Sequence, residues 1–271
     1  MTAPKALVVC GDGINCEVET SHALSLVGFD VQSIHVTELL GNPQKLQEAK
    51  LFCVPGGFSF GDEIASGKVL ALKMRQHMRD HLQKFIENKR LVIGICNGFQ
   101  VLVQLGLLPF PEIDAPRVVS LTHNRQRKFL NRWVTLQVNK SPSADVFFNS
   151  LEMLDLPMRH GEGNLKLEVT SGEADPKRQN ELQNYLTAVK EHASLRYAED
   201  VNGSLDRIAA LSSKDGTVMG LMPHPEAFVR FSQHPRWTNR DWHEKASANG
   251  GKPAGLVIFE NAFAYVNSAT N

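Results

Sequence analysis

The residues best able to do covalent chemistry lie in two short stretches far apart in the chain. The first is Gly94-Ile95-Cys96-Asn97-Gly98, where a cysteine stands between glycines. It joins an apolar run at residues 91–95 to a segment with helical apolar spacing at Phe99, Val101, Leu102 and Leu105. A nucleophile on such a tight strand-to-helix turn is projected away from the backbone, and glycines on either side leave room for the turn. Free N–H groups at the helix start favour thiolate over thiol and can hold an oxyanion. The second stretch is His224-Pro225-Glu226. Proline biases the residue before it toward extended chain, where residues two apart project to the same side. A carboxylate beside an imidazole fixes its tautomer, and an imidazole facing a thiol can take and return its proton. Cys96, His224 and Glu226 thus have the residue types of an acyl-transfer nucleophile, its acid–base partner and an orienting carboxylate. Taken singly, each also has an ordinary reading: an inert thiol at a strand end, a surface histidine between prolines and a solvated acid.

A third stretch, Pro55-Gly56-Gly57-Phe58-Ser59-Phe60-Gly61-Asp62, follows the apolar run at 51–54. Its glycines let bare backbone N–H groups converge on a neighbouring strand end, which is how an oxyanion hole is built. Without a nucleophile to serve it would be an ordinary glycine-rich loop. It is not a phosphate loop: the spacing from Gly61 to Gly67-Lys68 is wrong, and Val69 replaces the magnesium-binding Ser or Thr.

The elements that must position these groups alternate between strand and helix. Residues 6–10 read as a strand, and Asn15 as the N-cap of a helix to about residue 27. Strands follow at 30–36 and 51–54, then a long amphipathic helix at 68–89. His77 and His81 on that helix have metal-compatible spacing, yet with only Asp80 nearby they read as a solvated face. Residues 118–122 and 133–138 read as paired strands around the basic segment 124–128, which is either a solvated hairpin tip or a face for an acidic partner. His160-Gly161-Glu162-Gly163-Asn164 reads as a loop leaving a strand end. Residues 175–192 read as a polar surface helix, and 207–211 with 217–222 as a hairpin turning at Asp215-Gly216. Residues 254–266 read as a closing helix. The expected architecture is therefore α/β: an open, mostly parallel, flavodoxin-like sheet flanked by helices, with an added antiparallel hairpin region, in a single domain over 5–268.

Bulk properties exclude several classes. Of 271 residues 42% are hydrophobic, ample for a large core, and 29 basic residues balance 29 acidic ones. That balance gives no reason to expect nucleic acid or an anionic membrane as partner. Cys10, Cys16, Cys53 and Cys96 have no CxxC spacing, so neither a disulfide nor a metal is expected. The start Met1-Thr2-Ala3-Pro4-Lys5 lacks a signal-peptide hydrophobic region, and no apolar run spans a bilayer, so the expected location is a reducing cytoplasm.

With these blocks in view the sequence resembles the class I, triad-type glutamine amidotransferases. Gly13-Ile14-Asn15-Cys16-Glu17, the loops at 55–62, 94–100 and 160–164, Asn202-Gly203-Ser204 and Gly220-Leu221-Met222-Pro223-His224-Pro225-Glu226 together are similar to the glutaminase subunits of phosphoribosylformylglycinamidine synthase. The resemblance implies that Cys96 attacks the side-chain amide of L-glutamine to give ammonia and a γ-glutamyl thioester, with His224 as acid and base and Glu226 orienting it. It further implies oxyanion donors at Gly57 or Phe58 and at Asn97, and glutamine contacts from Gln100, Gly56, His160 and Gly161. Ammonia would pass to a synthetase subunit carrying ATP and Mg2+, with a small third subunit in the assembly. This chain itself is expected to hold no cofactor. Two segments depart from the shorter family pattern, 174–194 and 228–253; the second mixes Phe231, Trp237 and Trp242 with Arg and His, and reads equally as an interface or a decorated loop. The rivals are a free-standing γ-glutamyl hydrolase or cysteine peptidase, and a silent scaffold, whose expected mark, a missing triad residue, is not found.

Overall fold

Uninterrupted buried apolar runs become the central strands. Leu51–Val54 (β3) and Leu91–Ile95 (β4) are buried at every position and begin and end where the apolar pattern does. The computed structural model describes residues 2–113, 117–168, 176–246 and 250–268. Lys5–Cys10 (β1), Asp30–His35 (β2), β3, β4 and Val218–Leu221 (β11) form the parallel half of a nine-stranded sheet in the order β2-β1-β3-β4-β11. The sheet continues with antiparallel neighbours Ile208–Ser212 (β10), Ala193–Tyr197 (β9), Leu130–Val138 (β6) and Met153–His160 (β7). The expected α/β architecture is present, and the antiparallel region is a four-strand extension of the sheet.

The α-helices among the described residues are Glu17–Leu26 (α1), Val36–Gly41 (α2), Lys68–Glu87 (α3), Asn97–Leu105 (α4), Pro142–Phe148 (α5), Pro176–Glu191 (α6), Arg240–Ala246 (α7) and Ala254–Ser268 (α8). On α3 a stripe of Leu70, Met74, Met78, Leu82, Phe85 and Ile86 is buried, while Leu72 points outward. Helix α4 is buried almost throughout and ends at Gly106, whose φ of 84° supplies the left-handed C-cap. Among the described residues no helix is long and apolar enough to cross a membrane.

Three local expectations need correction. Cys16, not Asn15, is the N-cap residue of α1. Val119–His123 (β5) does not pair with β6; it forms a separate two-stranded sheet with Glu162–Leu167 (β8). β6 instead pairs with β7 along one edge and, at residues 136–138, with β9 on the other. The stretch at 160–164 is mostly strand, with Gly161 alone separating β7 from β8. Part of the segment after residue 228 packs on the chain itself. His234 stacks on Trp242 at 3.9 Å between centroids and 8° between planes, Trp133 meets Phe228 edge-on at 5.1 Å, and the Trp242 indole N–H donates to Asp155. These rings fold back onto β6 and β7, leaving Trp237 as the exposed aromatic. Of the two departing segments, 174–175 and 247–249 lie outside the described residues.

Candidate active site

Four parallel strands end at one crevice: the turn after β1, the glycine loop after β3, Cys96 after β4 and His224 after β11. Ligand sites of open α/β sheets lie at such carboxyl ends. Strand β4 sits between β3 and β11, so Cys96 is central.

The turn at Cys96 is left-handed, φ 51° and ψ −104°, a costly conformation for a residue with a side chain. Its N–H donates to the Leu221 carbonyl at 2.8 Å, tying the elbow to β11. Glycine is obligatory beside it. A Cβ on Gly98 would lie 1.8 Å from the Val54 carbonyl oxygen, and one on Gly94 2.6 Å from the Gly98 backbone. The sulfur is nearly buried and lies 3.6 Å from the Arg159 carbonyl oxygen.

His224 is in extended chain, φ −107° and ψ 91°, as the following proline requires. Glu226 is carried by a one-turn 3-10 helix at Pro225–Ala227 rather than by continued extended chain, and that turn brings its carboxylate back to the ring. Nδ1 of His224 and Oε1 of Glu226 are 2.6 Å apart, with both side chains almost fully buried. Burial pushes the imidazole toward neutrality. The Glu226 carboxylate, with the sulfurs of Cys96 and Cys16, outweighs it and holds His224 well above the ordinary histidine value. The backbone N–H of His224 donates to Pro157 on β7. That strand is the far edge of the sheet, so the sheet curls until its outermost strand closes over the crevice.

A cavity of about 430 Å³ joins these groups; Cys96, His224, His160, Gly161, Gln100, Gly57 and Phe58 line it. Gly57 and Asn97 carry backbone N–H groups with no hydrogen-bond acceptor among the described residues. The Phe58 N–H is different: it donates to Gly13 at 2.8 Å, in a bridge between the two loops, and is not available to an oxyanion in this conformation. Gln100 lines the cavity but is already engaged. Its amide oxygen accepts from Asn97 Nδ2 and its Nε2 donates to the Glu162 carbonyl, leaving one N–H for a ligand. Asn97 also accepts from Ser59 N–H and donates to Asp62, so the glycine loop, α4 and β8 are braced together. Gly56 stands where three side chains meet, at 2.9 Å from His224 Cε1 to where its own Cβ would be. His160 is buried with neither ring nitrogen hydrogen-bonded. Burial, then the charge of His224, lowers it from 6.5 to about 3, so it stays neutral.

Sequence reasoning gave Cys16 and Glu162 no individual role at the site, although both line the cavity. Cys16 lies in the turn after β1, and the parallel order β1-β3-β4 alone would have put that turn beside Cys96. The histidines on α3 gather no further ligand: His77 is exposed and His81 half-buried, and neither joins a metal-type cluster among the described residues.

The model of the CobB/CobQ-like glutamine amidotransferase domain matches residues 3–266. The chain belongs to this amidotransferase family. Its relatives include the phosphoribosylformylglycinamidine synthase subunit PurQ of Dehalococcoides mccartyi, 38% identical with 97% of each chain covered. The protein of the same name from Methanococcus maripaludis is 33% identical, covering 97% of this chain and 98% of that one. Among solved structures, PurLQS from Thermotoga maritima contains a chain that superposes with a TM-score of 0.68 at 30% identity, over 97% of this chain and 99% of that one. A glutamine amidotransferase from Methylobacillus flagellatus shares the fold at 13% identity and a TM-score of 0.53, over 99% of this chain and 95% of that one.

Proposed function

We propose that this chain is the glutaminase subunit of phosphoribosylformylglycinamidine synthase, releasing ammonia from L-glutamine for a partner synthetase in purine biosynthesis. The observation that carries the reading is the convergence of Cys96, on its strained turn, with the buried His224–Glu226 pair at one cavity. Full-length similarity to PurQ proteins narrows it to this member of the amidotransferases.

In the reaction the Cys96 thiolate attacks the side-chain carbonyl carbon of glutamine. The N–H groups of Gly57 and Asn97 receive the developing oxyanion. The imidazolium of His224, held protonated by Glu226, gives its proton to the departing nitrogen; the C–N bond breaks and ammonia leaves. A γ-glutamyl thioester remains on Cys96. His224, now neutral, takes a proton from water, whose oxygen attacks the thioester carbonyl, and glutamate departs as the thiolate re-forms. Gly161 and neutral His160 line the amino-acid end of the pocket.

Ammonia is then consumed by a synthetase subunit that activates formylglycinamide ribonucleotide with ATP and Mg2+. The relatives' naming and the PurLQS assembly support that partnership; a small third subunit completes the complex. Four free cysteines suit the reducing cytoplasm in which we place it. The test is reconstitution with the synthetase. Cys96→Ala abolishes formylglycinamidine ribonucleotide synthesis fed by glutamine and spares synthesis fed by ammonia. Unchanged glutamine-fed synthesis by Cys96→Ala would overturn the reading.

A further inference from the structure

Cys16 lines the same cavity as Cys96, and the reaction gives it no part. Its Sγ, a ring nitrogen of His224 and a carboxylate oxygen of Glu226 all lie within 4.8 Å of one another. The place a Cβ on Gly56 would take is 2.9 Å from His224 Cε1, 3.2 Å from Cys16 Sγ and 3.5 Å from Cys96 Cβ. Three reactive side chains therefore surround one bare stretch of backbone. Nε2 of His224 and Oε2 of Glu226 are buried without a hydrogen-bond partner, each on a side chain 3% exposed or less. The Cys16 thiol lies 3.3 Å from the Asn15 side-chain oxygen.

Thiolate, imidazole and carboxylate are the donors that bind zinc, and the thiolate selects such borderline-soft cations over magnesium or calcium. Three protein donors leave a tetrahedral ion one open position; His224 shares the ion with the carboxylate through Nδ1, which faces Glu226 at 2.6 Å, so the ion takes the place of that hydrogen bond. Cys16 is half-buried, so an ion reaches the donors through the cavity. The donors come from residues 16, 224 and 226, which is why no linear metal motif marks them.

We propose that Cys16, His224 and Glu226 form a Zn2+ site overlapping the reaction centre. Binding displaces the Cys16 thiol proton and the His224 imidazolium proton to solvent. It occupies the imidazole and carboxylate that turnover needs, so bound zinc arrests glutamine hydrolysis. The proposal goes beyond the glutaminase reading, and metal binding is measured without reference to activity, so either can fail alone.

The full-length chain, stripped of metal, is titrated with Zn2+ against a chromophoric chelator, and with Co2+ as a spectroscopic substitute. One equivalent binds, and Co2+ gives a sulfur-to-metal charge-transfer band. The band persists in Cys96→Ala and disappears in Cys16→Ser, whose Zn2+ affinity falls at least about tenfold. The Zn2+ concentration for half-inhibition of glutamine hydrolysis rises by the same factor. Alkylation needs no Cys16 variant: in Cys96→Ala, Zn2+ protects Cys16 from iodoacetamide, mapped by mass spectrometry. Absence of binding by the wild-type chain, a sulfur band lost in Cys96→Ala but kept in Cys16→Ser, or alkylation of Cys16 at the same rate with and without Zn2+ would each overturn the proposal.

Discussion

Replacing Glu226 with glutamine keeps the shape of the side chain and an oxygen for His224 Nδ1 but removes the charge. In the native chain the pair spans 2.6 Å with both side chains all but withdrawn from water. A hydrogen bond to a charged group contributes about 1.5–3 kcal/mol net. At 1.36 kcal/mol per pKa unit, its loss lowers the His224 value by about 1 to 2 units. The sign follows from the role of the ring. In the proposed reaction His224 carries a proton to the leaving nitrogen, so activity falls on the alkaline side when that proton is lost. Glu226→Gln therefore moves the alkaline limb of kcat/KM about 1 to 2 pH units toward acid, with a loss of about 10²–10⁴ in rate at its own optimum. The same pair carries a stability signature. Because the folded value is raised above 6.5, its contribution is full below 6.5 and is lost as pH rises through the folded value. The assay is glutamate release by the reconstituted complex across the pH range, with denaturant melts in parallel. An alkaline limb that does not move, with kcat/KM near wild type, would refute the assignment of Glu226 as the group that keeps His224 charged.

Gly98→Ala places a methyl 1.8 Å from the Val54 carbonyl oxygen, so β3 and α4 must separate; it costs about 1–3 kcal/mol or more and lowers Tm in calorimetry. Trp242→Ala removes a ring that stacks on His234 and donates to Asp155; it costs about 3–5 kcal/mol in urea unfolding, while glutamine hydrolysis by the folded fraction is retained. His160 is buried and neutral, held near 3. The unfolded chain takes up a proton at that residue below 6.5, so the fold loses about 1.4 kcal/mol per pH unit from there toward 3. In His160→Asn, urea midpoints measured down to about pH 4 decline less steeply than in the wild type.

What could be read from the sequence follows from what is local. Strands β3 and β4 are complete apolar runs bounded by glycine or a polar turn, so their limits are written in the chain. The elbow is legible because only glycine fits beside it, and the His224–Glu226 pair because two residues apart is a short reach. Long-range pairing is not written locally: β5 and β6 are neighbours in sequence, yet β8 and β7 are their partners in space. The engagement of the Phe58 N–H by Gly13 depends on two loops meeting, which neither loop announces. The aromatic residues after 228 show the same limit. Their composition suits an interface, and only the position of Trp133 and Asp155 decides that Trp242 turns inward.

The curled sheet makes strand register a dimension of the reaction centre. Along β7 successive side chains alternate, Met158 and His160 inward and Arg159 outward, while the Arg159 carbonyl faces the sulfur and the Pro157 carbonyl anchors the His224 backbone. A shift of β7 by a single residue against β6 would turn an imidazole out to water and swing a guanidinium over the nucleophile. The unbroken eight-rung ladder from Leu130–His160 to Gln137–Met153 thus acts as a ruler, fixing from the outermost strand which groups a substrate meets.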